Sequence, residues 1–358
     1  MRRHEIAVIP GDGIGPEVIG AGCRVLEALA RADGGFELVF KSFDWGSDHY
    51  RRHGRMMPED GLERLQGFDA IYFGAVGDRE VPDHVTLWGL RLAICQGFDQ
   101  YANVCPARLL LGIEGPLRPE LGRAIDWVIV RENSEGEYAG VGGRAHQALP
   151  LEVGMDVAVF TRAGIERIAR FACELALSRP RRRLTVVTKS NAQRHGMVLW
   201  DEVCAEVVRE QPDLEIDWML VDAMTTRMVL KPESIDTVLA TNLHADILSD
   251  LAAALSGSLG IGATANLDPS RRRPSMFEPI HGSAFDLVGK GIANPLASFW
   301  TASLMLEHLG EEASARRLMS AIETLTGRGE VLTPDLGGGA TSAQVTDAVI
   351  AALDGANA

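Results

Sequence analysis

The sequence predicts an α/β protein of two lobes, on three observations. Short runs rich in Ile and Val alternate with segments of helical, amphipathic spacing. A chain of 358 residues with 46% hydrophobic content is long enough to divide around separate cores. Several apolar runs end in polar residues, as strands do where an open sheet offers its carboxyl ends to a ligand.

Taken in order, EIAVI (5–9) predicts a strand, Pro16 to Ala30 a helix, and FELVF (36–40) a second strand. DAIYFGAVG (69–77) reads as a buried strand with a glycine turn. WVIVREN (127–133), LTVVTKSN (184–191), WMLVDAM (218–224) and TVLATNL (237–243) each pass from an apolar run to polar residues. Arg131, Lys189, Asp222 and Asn242 are thereby candidates for one cleft. Helices are expected at about 162–178, 193–210, 245–258, 295–309, 312–327 and 341–354. No repeat, low-complexity tract or long linker interrupts this order.

PGDGIGPE (10–17) follows a strand and opens a helix, which invites a dinucleotide-binding reading. Glycines at 11, 13 and 15 do not give G-x-G-x-x-G, and no acid closes a clear second strand, so a tight structural turn is expected.

With 35 basic and 49 acidic residues, the net charge of -14 argues against nucleic acid or an anionic membrane as partner. The five cysteines (Cys23, Cys95, Cys105, Cys173, Cys204) are scattered and without CxxC spacing, which fits reduced thiols in a cytoplasm. The N-terminal MRRHEIAVIPGDGIG lacks an apolar signal run, and no stretch reaches the ~18 to 20 apolar residues of a membrane span. The expectation is a soluble, unprocessed, cytoplasmic protein.

HADILSD (244–250) puts Asp246 and Asp250 four residues apart on one helical face, where like charges repel by a few tenths of a kcal/mol. Either water screens the pair or a cation holds it.

PGDGIGPE, YFGAVG, VRENSEGEY, TKSN, NLHADILSD and FEPIHGSAFDLVGKGIANP occur in this order over nearly the whole chain. Together they resemble the β-decarboxylating dehydrogenases, the family of isocitrate, isopropylmalate and D-malate/tartrate dehydrogenases. FDAIYFGAVGDREVPDHVTLWG (68–89), FDQYANV (98–104) and GRAHQ look most like the tartrate/D-malate branch. The resemblance implies a two-domain α/β fold distinct from Rossmann, with the active site in the interdomain cleft and shared across a homodimer. The larger domain is expected to comprise residues 1–103 and 259–358 and the smaller one 104–258.

The resemblance also implies roles. Asp246 and Asp250 match the family's metal carboxylates, and Asp222 a third contributed from the partner subunit. Mg²⁺ or Mn²⁺ suits such oxygen donors and keeps positions open for substrate. Lys189 matches the base that takes the hydroxyl proton, and Tyr138 the acid that protonates the enol carbon. His281, Gly282, Ser283 and Ala284 match the loop around the adenosine half of the dinucleotide, with Glu278 before it and Asn294 as the adenine contact. Asp286 implies NAD, because a carboxylate accepts from a ribose 2′-hydroxyl and repels a 2′-phosphate. Phe285 stands where proline is usual.

In the family three arginines hold the substrate carboxylates. Arg131 matches one, but Cys95 and Cys105 occupy the other two positions. Losing one charged contact typically costs ~1.5 to 3 kcal/mol, so altered substrate specificity is expected. Arg91, four residues before Cys95, either compensates from the same helical face or is a surface charge; Thr86 lies in the same substrate segment. The leading expectation is a metal-dependent, NAD-linked oxidation, with decarboxylation, of a malate- or tartrate-like 2-hydroxy acid. The alternatives are a catalytically weak NAD-binding paralogue or regulatory subunit, and an isocitrate or isopropylmalate dehydrogenase.

Overall fold

A computed structural model describes residues 1–355. Its strands are β1 (Arg2–Gly11), β2 (Phe36–Ser42), β3 (Ala70–Ala75), β4 (Ala102–Arg108), β5 (Asp126–Glu132), β6 (Gly136–Ala145), β7 (Val153–Val159), β8 (Arg183–Thr188), β9 (Glu215–Leu220), β10 (Thr237–Ala240), β11 (Ala263–Leu267) and β12 (Ser275–Pro279). The chain divides into two compact units. The first comprises Met1–Gln100, Arg108–Arg123 and the chain from Ala253 onward; the second comprises Tyr101–Ala107 and Ala124–Ala252.

In the first unit the strand order is β2-β1-β3-β12-β11, parallel except for β11, which runs antiparallel to β12. Strand alternation sorts side chains between two cores. Ile6, Val8, Tyr72 and Phe277 face one cluster, while Ala7, Ile9, Ile71, Phe73 and Met276 face the other. Against the first cluster pack helices Gly15–Asp33, Leu296–His308, Glu312–Arg328 and Ser342–Gly355. Helix Gly15–Asp33 buries Val18, Ile19, Val25, Leu26 and Leu29 at helical spacing, opens with Pro16 in its first turn, and stops at Gly34 in left-handed conformation. Leu296–His308 is buried nearly all round, as a central helix must be.

The second unit orders its strands β4-β5-β10-β8-β9, with β5, β10, β8 and β9 mutually parallel. Its helices include Arg162–Ser178, Gly196–Arg209 and Val221–Leu230. Thr161 caps the first of these, its Oγ1 accepting from the Gly164 amide. β6 and β7 form a separate antiparallel ribbon with an irregular register between Gly136 and Val141. Among the described residues no helix is long and apolar enough to cross a membrane.

Three differences from the sequence expectation have physical causes. Arg108–Arg123 belongs to the first unit rather than the smaller domain, because Leu110 and Ile113 are buried in the first unit's core. The second boundary falls at 253 rather than 259. The helical segment ahead of Cys95 is not wholly α-helical: Leu87–Arg91 is a π-helical turn in which the Leu92 amide bonds to Leu87 O, and the α-helix Leu92–Gly97 follows it.

Candidate active site

The parallel strands of the second unit end on one edge, and that edge gathers the chemistry. Arg131 lies at the end of β5, Lys189 just past β8, and Asn242 just past β10 at the start of helix Asn242–Leu255. Asp222 sits not at a strand end but in the first turn of helix Val221–Leu230, where the N-terminal dipole favours a carboxylate. Asp246 and Asp250 follow on helix Asn242–Leu255, which begins three residues before the expected start.

Arg131 is buried, and its guanidinium is committed twice within this edge. Nε donates to Asn242 Oδ1 at 2.9 Å, and a terminal nitrogen donates to Asp246 Oδ1. The Tyr138 hydroxyl donates to Asp246 Oδ2 at 3.0 Å, and the Tyr138 ring lies 5.3 Å from the guanidinium. One carboxylate therefore joins the predicted substrate arginine to the predicted acid. Burial foremost, and Asp246 second, push the Asp250 carboxyl above its ordinary range against the pull of Arg131. Asp246 is paired with Arg131 while burial acts against the Asp250 charge, and carboxylate oxygens of this kind are hard donors that fit a divalent cation. Among the described residues no group of three His, Cys, Asp or Glu stands close enough to hold a metal within one chain.

Lys189 Nζ donates to Asp222 Oδ1 at 2.5 Å, and that bond foremost holds the exposed Asp222 carboxyl below its ordinary range. His244, buried nearby, is held below its usual pKa by burial first; Glu137 opposes that shift and Lys189 adds to it.

Residues that sequence reasoning missed hold Tyr138 in place. Buried Glu132 accepts from the amides of Ser134 (3.0 Å) and Glu135 (2.8 Å) and from the Ser134 hydroxyl. Arg167 donates to the same hydroxyl at 2.8 Å. Gly136 then turns the chain with φ of 73°, and Asn242 Nδ2 donates to Glu135 O at 3.2 Å. Asn242 thus ties the turn carrying Tyr138 to Arg131. The signal was present in the run REN-SEG-EY, but only as polar residues after a strand.

In the first unit, the loop after β12 is locked to the glycine turn. Ser283 Oγ donates to Gly77 O at 2.8 Å, and Ser283 O accepts from the Ile14 amide at 3.0 Å. A Cβ on Gly13 would meet Ser283 O at 2.1 Å, and Gly13 has φ of 61°, so PGDGIG serves as the predicted structural turn. Asp12 fixes that turn through the Ser47 amide (2.7 Å) and the Gly77 amide (3.0 Å). Within the loop Ala284 has φ of 41°, Gly282 is open, and Asp286 is exposed. His281 Nδ1 lies 3.1 Å from Gly282 O, its Nε2 is buried without a partner, and burial lowers its pKa.

Other expected contacts are already engaged. Asn294 donates to Asp335 at 2.9 Å and accepts from the Leu296 amide at 3.0 Å. Glu278 accepts from Arg91 Nε and from Asn266 Nδ2, each at 2.7 Å. The Arg91 charge is thereby directed at a buried carboxylate in its own unit. Thr86 is buried with its hydroxyl donating to Asp83 O at 3.2 Å. Cys95 is buried in the core with Leu90, Ile94 and Phe98. Cys105, on β4, directs its thiol to Asn103 Oδ1 at 3.0 Å.

The sequence profile of isocitrate/isopropylmalate dehydrogenase matches residues 5–350. A probable tartrate dehydrogenase/decarboxylase of Agrobacterium vitis is 67% identical over 357 residues, covering 100% of this chain and 99% of the relative. The decarboxylating D-malate dehydrogenase of Escherichia coli K12 is 47% identical, with 98% of each chain covered. The crystal structure of isocitrate dehydrogenase from Methylococcus capsulatus superposes with a TM-score of 0.88 at 34% identity, covering 98% of this chain and 99% of that one. The chain belongs to the isocitrate/isopropylmalate dehydrogenase family.

Proposed function

We propose that the protein is a divalent-metal- and NAD-dependent dehydrogenase that oxidises and decarboxylates a 2-hydroxy acid resembling tartrate or D-malate. The observation that carries this reading is the Asp246 carboxylate bonded by both Arg131 and Tyr138, beside Asp250, whose charge burial opposes. The named activities of the Agrobacterium and Escherichia relatives support the substrate class.

Asp246 and Asp250 would hold Mg²⁺ or Mn²⁺, with Asp222 of the partner subunit as third donor. When bound, the ion supplies Lewis acidity toward the substrate oxygens, and NAD, held by the His281–Asp286 loop, supplies the hydride acceptor. The chain's own residues move the protons. Lys189, released from Asp222 and having given a proton to solvent, accepts the hydroxyl proton as a neutral amine; Arg131 orients a substrate carboxylate; and Tyr138 delivers a proton to carbon after CO₂ leaves.

A homodimer follows from the same reading. The turn joining β6 to β7 exposes Leu151 (77%), β7 exposes Met155 (61%), and helix Val221–Leu230 exposes Leu230 (63%), an apolar excess that suits a second copy. Ile247, beside Asp246, is also exposed. Among the described residues no disulfide joins any of the five cysteines, which suits a reducing cytoplasm.

Cys95 lies in the core and Cys105 turns its thiol to Asn103, so neither position supplies a guanidinium, which supports an altered specificity. The test is NADH formation by the purified protein with Mn²⁺ across D-malate, tartrate isomers, isocitrate, isopropylmalate and monocarboxylic hydroxy acids. Preference for D-malate, tartrate or a less charged analogue supports the proposal. Preferred turnover of isocitrate or isopropylmalate refutes the substrate class, and NADH binding without any turnover points to a non-catalytic paralogue.

A further inference from the structure

The first unit carries another polar cavity, at the opposite end of its sheet from the His281 loop. Phe68 and Asp69 reach it just before β3, Arg271, Arg272 and Arg273 just before β12, and His308 from the end of helix Leu296–His308. β3 and β12 are parallel, so both present their amino ends here. The His281 loop leaves the carboxyl end of β12, and five residues of strand separate the two, roughly 16 Å at ~3.3 Å per residue. The cavity has a volume of about 470 Å³, within the range of small-molecule sites.

The arginine loop is built rather than loose. Buried Asp268 spends Oδ1 on the Ser270 amide and hydroxyl, and Oδ2 on the amides of Arg272 and Arg273, both at 3.0 Å. Its carboxylate bonds the backbone and the Ser270 hydroxyl and makes no hydrogen bond to a guanidinium, though its charge remains in the loop. Arg271 is held at φ of 55°, a left-handed conformation unfavourable for a residue with a side chain. Among the described residues none of the three guanidiniums pairs with a carboxylate; Arg272 Nε donates to Ser270 Oγ at 2.9 Å.

The other facing groups do not cancel this charge. Asp69 contributes one negative charge and spends Oδ2 on the Glu5 amide. His4 is engaged with Glu311 at 2.9 Å. Burial, and then Arg271, bring His308 down to about 4, so it is neutral at pH 7. Asp69 and Asp268 supply two negative charges and the carbonyl end of helix Leu296–His308 roughly half of another, against three positive ones, so a small positive excess remains. In a chain of net charge -14, this is a local anion trap.

We propose that the cavity binds a small organic phosphate carrying at least two phosphate charges, at a site separate from the His281 loop. Guanidinium forks match phosphate oxygens in pairs, and Phe68 with Pro274 and Leu309 gives the organic body an apolar wall. A nucleoside diphosphate and a sugar bisphosphate share this chemistry.

The test is calorimetric titration of the full chain at low ionic strength with a hexose bisphosphate, with ADP in the presence of saturating NADH, and with citrate as a carboxylate control. The expected result is binding of at least one phosphate ligand, tighter than about 1 mM. Whichever binds better identifies the source. The double variant Arg271→Ala/Arg273→Ala, shown folded by circular dichroism, should weaken that binding tenfold or more. Lysine at both positions should fall between, because it keeps charge and loses the fork. Absence of binding by both phosphates, citrate binding as tightly, or unchanged affinity in the alanine variant would overturn the proposal.

Discussion

Asp246 has both oxygens occupied, one by Arg131 and one by Tyr138, whereas Asp250 four residues on lacks such partners and is pushed above its ordinary pKa. A carboxyl whose folded pKa is raised contributes stability that is full below its unfolded pKa and lost as pH rises through the folded value. Under the proposed metal role, the metal-free protein carries a penalty at neutral pH that a bound divalent ion would remove. The thermal shift given by Mn²⁺ should be larger at pH 7.5 than at pH 5, measured by differential scanning fluorimetry. Asp250→Asn should raise metal-free stability by a few tenths of a kcal/mol and lose the Mn²⁺ shift. Lys189→Met should cut kcat by about 10²- to 10⁴-fold, the usual span for a positioned base. Cys105→Arg restores a guanidinium on β4, and one charged contact of ~1.5 to 3 kcal/mol should lower the KM for a diacid roughly tenfold or more. At this scale the sequence spacing of Asp246 and Asp250 was directly legible. The π-helical turn at Leu87–Arg91 was not, because no residue type in LWGLR marks a wider turn.

At the scale of elements, long periodic segments were readable and short or glycine-rich ones were not. Helix 162–178 was located in full, since Thr161 supplies a cap and the buried Ile165, Ile168, Ala169 and Ala172 recur at helical spacing. β6 escaped notice because GEYAGVGGRA, with its four glycines, offers no β-branched run, and pairing with β7 alone makes it a strand. β11 and β12, five residues each, depend on the sheet around them rather than on local preference. The ribbon's exposed apolar side gives an element-level prediction. Leu151→Asp with Met155→Asp should convert a dimer to monomers in sedimentation velocity and reduce activity, because the third metal carboxylate is expected from the partner. An unchanged sedimentation coefficient would exclude the ribbon as the contact. Asn242→Ala, by releasing both Arg131 and the Glu135 carbonyl, should lower kcat more than it raises KM, tested by steady-state kinetics.

For the whole molecule, alternating strands and helices announced the α/β class, and six ordered motifs announced the family. The unit boundaries were harder, since Leu110 and Ile113 follow a strand of the second unit yet are buried in the core of the first. Only tertiary packing decides where such a segment belongs. The central claim is that Asp246 and Asp250 serve a metal in an NAD-linked oxidative decarboxylation. It is tested most directly by following NADH and CO₂ together from D-malate or tartrate with Mn²⁺, with and without a chelator. Equimolar NADH and CO₂, both abolished by the chelator and restored by excess Mn²⁺, is the predicted result; NADH formation indifferent to the chelator would contradict it.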